Sequence, residues 1–311
     1  MQRVLYRVSA LICALAMNGS AALGSVSLGD LAPPLKVKTW VQGGPVDLSQ
    51  DASKRVHIIE FWATWCPPCK ASIPVLNQYQ KNHGDALNIV SITDPDTERN
   101  TPTMIKEFVR ERGPDMSFTV GMDNLGATTA AYMGDEMVGI PQAYVVGKDG
   151  KVAWIGSPLD PAMGDVLKQV IAGTYDVAAA KASAGLEKEV EKKFMAIDRA
   201  YQMGQMESVW KGLVEITQLD PTNAMAMELM ASMYVSEPDR RAAIRQWIEN
   251  HISKFGGNSN AMGVLALTLC RIDDFSLRVP DLTLKAGHAA YEASKAKDYR
   301  SIQVYARAQY E

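Results

Sequence analysis

The sequence predicts an α/β domain followed by an all-α helical domain, on three observations. The run Val56-His57-Ile58-Ile59-Glu60-Phe61-Trp62-Ala63 is short, β-branched and aromatic, and it leads into Trp65-Cys66-Pro67-Pro68-Cys69-Lys70 and then into apolar residues about three apart at Ile73, Leu76 and Tyr79. That order reads as a buried strand, two cysteines at C-x-x-C spacing, and a helix. Residues 143–146 and 151–155 flank Gly147-Lys148-Asp149-Gly150, a hairpin signal. After residues 178–185, which are rich in Ala, Lys and Ser, no strand signal recurs and only helical periodicity is left, as at Val209, Leu213 and Ile216.

The remaining elements follow in order. Residues 35–48 hold two short alternating stretches around Gly43-Gly44-Pro45 and predict an opening hairpin. Residues 87–93 read as the strand after the dithiol helix, stopped by Pro95 and Asp96. A helix over 103–112 and a strand over 118–122 come next, then a short helix over 126–133 that leads to Gly139-Ile140-Pro141. After the hairpin, a helix over 161–172 closes the domain. The composition shift at 178–185 places a boundary there, giving a first domain over 25–178 and a helical domain over 186–311.

Length and charge bound the function. A chain of 311 residues suits two domains at roughly 150 residues each. The net charge of -3 and pI near 5.9 argue against nucleic-acid partners and a polybasic membrane surface. Arg3 and Arg7 flank a short apolar run over 8–17, and Asn18-Gly19-Ser20-Ala21-Ala22 follows; residues 1–24 therefore read as a cleavable secretory signal, and the chain as exported. The run is shorter than the roughly 20 residues needed to span a bilayer, and an uncleaved anchor is the alternative. Cys13 would be lost with the signal, and bulky Ile12 before it argues against lipid attachment. Cys66, Cys69 and Cys270 are left, too few for a disulfide framework, so the close pair reads as reactive and Cys270 as a small buried hydrophobe.

A C-x-x-C at a strand-to-helix junction sets the first sulfur beside unpaired helix N–H groups and the positive end of the helix dipole, which favour thiolate over thiol. Cys66 is the candidate nucleophile, and Cys69, nearly a turn later, can reach back to it. Pro67 suits the first turn, where its missing N–H had no partner. A structural disulfide or half of a zinc site are the alternatives; zinc needs about four ligands, and His57, His83, His251 and His288 are scattered singly. Exchange would run through attack of Cys66 on a substrate disulfide and release of product by Cys69, with no metal and no cofactor. Glu60, on the strand beneath, is the nearest base for Cys69, its alternative being a satisfied strand carboxylate. A peroxidase of the peroxiredoxin type is disfavoured, because Ile59 stands where Pro-x-x-x-Thr-x-x-Cys needs proline.

The segment Phe61-Trp62-Ala63-Thr64-Trp65-Cys66-Pro67-Pro68-Cys69 resembles the active-site segment of thioredoxin-fold thiol-disulfide oxidoreductases, in particular the TlpA/ResA type exported by bacteria. Glu60 takes the place of that family's buried acid, Pro74 that of its helix-kinking proline and Ile140-Pro141 that of its cis-proline loop. The resemblance covers roughly residues 30–175. It implies a central mixed sheet flanked by helices, with the pair over 103–122 as the family's insertion. It also implies disulfide-bearing protein substrates, a membrane electron donor and, most simply, the bacterial periplasm. Ile140 and Pro141 would receive an extended substrate segment and Trp65 would form the lip of the site, whereas Trp62 reads as core. Lys70 reads as a solvated first-turn lysine. Members that reduce apocytochrome cysteines carry Glu three residues after the second cysteine; Ser72 stands here, which puts that substrate in doubt.

The helical domain matches the 34-residue period of tetratricopeptide arrays only in part. In a unit over 190–223, Gly204 falls at the turn and Leu213, Ile216 and Pro221 take later positions; from Ala224 on, Ala231, Tyr234, Ala243 and Trp247 fit but Asn250 and Phe255 do not. The expectation is tetratricopeptide-like helical hairpins that dock a protein partner, with a plain bundle as the alternative. Met225, Met227, Met230 and Met233 read as interface filling, not copper ligands. Tyr299, Ile302 and Tyr305 predict an apolar stripe on a last helix that also carries Ala306 and Gln309. Two further classes of function stay open at this point: a copper-handling protein using the two thiolates, and an interaction scaffold.

Overall fold

A computed structural model describes residues 25–51, 54–134, 139–295, 297 and 299–309; the signal-peptide reading of residues 1–24, with Cys13, falls outside them. Six strands, β1 (Val37–Gln42), β2 (Val56–Phe61), β3 (Leu87–Thr93), β4 (Thr119–Asp123), β5 (Gln142–Val146) and β6 (Val152–Gly156), form one sheet in the order β1-β4-β3-β2-β5-β6. β2, β3 and β4 run parallel, and β1, β5 and β6 pair antiparallel to their neighbours. Parallel neighbours need a crossover. Helix α2 (Pro67–His83) supplies it between β2 and β3, and α3 (Pro102–Arg112) between β3 and β4; α1 (Leu48–Asp51), α4 (Ala127–Met133) and α5 (Met163–Ala172) complete this part. A mixed sheet with flanking helices is the thioredoxin fold.

β2 has a neighbour on each side and is buried along its whole length, which is why its sequence is an apolar run and not an alternation. Side chains on a strand alternate between faces. Val56 and Ile58 join the cluster that contains Cys66, Cys69, Ile73 and Leu76, whereas Ile59 and Phe61 join the cluster on the opposite face with Tyr132 and Tyr144. The parity of Glu60 therefore puts it on the face that α2 covers.

The opening hairpin expected over 35–48 does not form. Only its first half is a strand, and β1 pairs with β4 instead of a sequence neighbour. Two interactions account for this. Asp47 accepts from the backbone N–H and the hydroxyl of Ser49, which turns the second stretch into α1. Gln42 donates its side-chain amide to the carbonyls of Met116 and Phe118, tying the end of β1 to the entrance of β4.

Residues 178–185, expected as a boundary, lie inside one continuous helix, α6 (Val177–Gln202). Ala and Lys are among the best helix formers, which accounts for the helix over this stretch. By contacts, the chain divides between Ala184 and Gly185 into two compact units. The second contains the rest of α6, α7 (Met206–Leu219), α8 (Ala224–Ser236), α9 (Arg241–Phe255), α10 (Ser259–Cys270), α11 (Pro280–Ala293) and α12 (Tyr299–Gln309). Its turns are chemically specified: Gly204 adopts φ +70°, and the side chains of Asn223 and Asn258 cap α8 and α10. Met227, Met230 and Met233 are buried in its core, Met225 packs against it, and Cys270 is buried at the end of α10. Of the expected stripe on the last helix, Tyr305 is half-buried against His288 and Tyr291; among the described side chains of this helix Val304 and Ala308 are buried, while Ala306 and Gln309 are exposed. Gly287 on α11 permits this seat, since a Cβ there would stand 3.1 Å from that of Ala308. The side chains of Tyr299 and Ile302 lie outside the described part of this helix.

Candidate active site

Cys66 is the N-cap of α2, and Pro67 and Pro68 open the helix. Neither proline has an N–H, so the first backbone donor of the helix is that of Cys69. It donates to Cys66 Sγ at 3.2 Å, while the N–H of Lys70 goes to the Cys66 carbonyl. A single N–H and the helix dipole thus support negative charge on Cys66. The two sulfurs are joined as a disulfide, and the pair is closed off from water: Cys66 is 2% exposed and Cys69 0%. Pro74 lies inside α2, and Ser72, also buried, donates its hydroxyl to the Cys69 carbonyl.

Glu60 is 1% exposed, and burial pushes its carboxyl up to about 8 against the pull of one hydrogen bond from Ser91. Ser91 lies opposite it on β3 and donates to Oε2, while Oε1 is buried with no hydrogen-bond partner. The carboxyl is thereby held protonated near neutrality on the face of the sheet beneath α2. Ser91 was not foreseen, although a signal existed: Glu60 and Ser91 are each the fifth residue of their strands, and parallel pairing in equal register sets them side by side.

The remaining predicted residues surround the sulfurs. The Ile140–Pro141 peptide is cis, and the Ile140 carbonyl oxygen is 3.6 Å from Cys66 Sγ. Trp65 is 43% exposed and carries the Arg99 guanidinium 4.7 Å from its ring centre. Trp62 is core, its ring centre 5.2 Å from that of Phe108 at a tilt of 41°, and Lys70 stands over that same Phe108 ring. Asn100 was also missed. Its side chain accepts from the N–H and hydroxyl of Thr64 and donates to Thr93 Oγ1 and the Asp94 carbonyl, so the loop after β3 clasps the segment that delivers Cys66. Asp96 shapes that loop by accepting the N–H groups of Glu98, Arg99 and Asn100 on one oxygen. Only the Asp-Thr-Glu-Arg-Asn turn chemistry hinted at it.

Comparison with known proteins agrees with this geometry. Residues 28–155 match the AhpC/TSA family. The protein FixW of Rhizobium leguminosarum is 26% identical over 156 residues, which are 49% of this chain and 69% of FixW. A thiol-disulfide oxidoreductase ResA of Bacillus cereus is 30% identical over 129 residues, 41% of this chain and 68% of ResA. A solved thioredoxin-like protein in its oxidised form is 27% identical and aligns over 48% of this chain and 99% of its own, with a TM-score of 0.41. With a dithiol capping a helix above a buried acid, and ResA matched over two thirds of its length, the chain belongs to the ResA-type thioredoxin-like thiol-disulfide oxidoreductases.

Proposed function

We propose that this chain is an exported reductase of protein disulfides, and the observation that carries the reading is the buried Cys66–Cys69 pair at the head of α2 with Glu60 on the sheet face below it. The Cys66 thiolate attacks one sulfur of a substrate disulfide; the substrate S–S bond breaks, one substrate thiolate leaves and a mixed disulfide forms. Glu60, protonated in most molecules near neutrality, takes the Cys69 proton in its carboxylate form, whose share grows as pH rises toward 8. The Cys69 thiolate then attacks Cys66 Sγ, releasing the second substrate thiolate and leaving the Cys66–Cys69 disulfide. Two electrons and two protons from a membrane dithiol donor return the pair to the reduced state. Trp65 and the backbone of Ile140 and Pro141 hold the substrate segment, and the helical unit, read as tetratricopeptide-like hairpins, docks a protein partner.

Two details support reduction of varied substrates over narrower tasks. Ser72 is buried and turned onto the Cys69 carbonyl, so no acid stands three residues after the second cysteine. Ile59 and Ala63 occupy the proline and threonine positions of the peroxidase pattern, and Ala63 offers no hydroxyl. The test is trapping. Cys66→Ser abolishes insulin-disulfide reduction, whereas Cys69→Ser accumulates a mixed disulfide on Cys66 that mass spectrometry reads directly. Equal trapping by both variants contradicts the assigned order, and no trapping by either removes the reading.

A further inference from the structure

We propose that Lys70, Arg99 and Arg112 form a cationic rim around the dithiol that selects disulfides flanked by acidic residues. The inference rests on the reductase reading above and names its substrate class. The chain as a whole carries a net charge of -3, yet three cations lie over aromatic rings of, or packed against, the segment over 62–65 that leads to the dithiol. Each is mounted on an aromatic face. Arg99 lies 4.7 Å over Trp65, the residue before the nucleophile, and Lys70 and Arg112 lie 5.9 and 5.0 Å over Phe108, which packs on Trp62. A guanidinium held over a ring face keeps its charge and its N–H donors, which a carboxylate can take in pairs.

The mounting is rigid where it matters most. Asn100, adjacent to Arg99, is buried and bonded on both sides, to Thr64 and to Thr93 and Asp94. Asp96, the acid that feels the charge of Arg99, commits one oxygen to three backbone N–H groups of the same loop. The backbone at Arg99 is thereby fixed in a loop that clasps Thr64, two residues before Cys66, and needs no ordering on binding, which lowers the entropic cost of engaging a partner. A cation on the ring of the residue before the reacting cysteine attracts acidic flanks and repels basic ones in the encounter and in the mixed disulfide alike.

The experiment uses the full chain and two disulfide peptides that differ only in their flanking residues, Glu in one and Lys in the other. At low salt the Glu peptide is reduced with kcat/KM roughly three- to tenfold above the Lys peptide, a size expected for a few exposed charge pairs. The ratio shrinks toward one as salt rises. Arg99→Glu brings the ratio to one or below, and Arg99→Gln falls between. Lys81→Glu, the same change in charge at the far end of α2, leaves the ratio unmoved. Equal turnover of the two peptides by the unaltered chain, or an equal drop of the ratio in Lys81→Glu, overturns the selector and leaves the reductase reading standing. Failure to reduce either peptide removes both.

Discussion

Two buried hydroxyls of the helical unit and two buried polar groups at the site of the α/β unit find their partners at different range along the chain. In the helical unit, buried hydroxyls bond within their own helix or its cap: Thr217 donates to the Val214 carbonyl and Thr283 to that of Val279. At the site of the α/β unit, two buried polar pairs bridge elements far apart in sequence. Ser91 reaches Glu60 and Asn100 reaches Thr64, across 31 and 36 residues. Local satisfaction leaves a helix free to be chosen for packing alone. Long-range satisfaction fixes one side chain relative to another, which is what a reacting pair of sulfurs requires. Glu60 Oε1 is one of several buried polar atoms without a hydrogen-bond partner among the described residues, and it lies on the face beneath the dithiol helix.

Glu60→Gln strikes the first unit hardest. The folded pKa near 8 lies above the ordinary carboxyl value of 4.5, so the native state binds a proton that the unfolded state has released between those limits. Stability is therefore full below about pH 4.5 and is lost as pH rises toward 8, by at most roughly 5 kcal/mol. Denaturant melts at pH 4.5 and 8 should show this fall in the natural chain and a flat profile for the variant. Resolution of the mixed disulfide should slow by roughly 10²- to 10⁴-fold in Glu60→Gln, and its rise with pH toward 8 should vanish. A pH profile that is the same in both proteins would assign the proton to another group.

Leu265→Ala tests the other half of the comparison. Leu265 is 1% exposed in the core of the helical unit, and its truncation should cost about 2–5 kcal/mol there. Hydrogen exchange on α8, α10 and α11 should speed up accordingly, while the rate of insulin-disulfide reduction stays within about twofold. A reduction rate that falls with the stability of the helices would make them part of the catalytic unit.

Much of the α/β unit was legible because its signals are local. The apolar run of β2, the C-x-x-C and the Gly147-Lys148-Asp149-Gly150 turn each specify their own element, and strand β3 is found where residues 87–93 predict it. The opening hairpin failed because Asp47 and Gln42 act through partners that periodicity does not show. In the site, the cysteines announce themselves by spacing, whereas Ser91, Asn100 and Arg99 gain their places only when β3 pairs with β2 and the loop beyond it folds back. The helices were legible as helices, but which face of α12 is buried depends on Gly287, a residue in the preceding helix.

The reduction potential of the Cys66–Cys69 pair tests the central claim most directly. Strong oxidants owe their high potential to a stabilised reduced form. Here two prolines remove the first helical donors, one N–H reaches Cys66, and the carboxyl beneath is neutral at pH 7, so the thiolate gains modest support. Equilibration against glutathione and dithiothreitol buffers should give a potential below about -230 mV, in the range of thioredoxin near -270 mV. A value near the roughly -120 mV of DsbA would make the chain an oxidant and contradict the account.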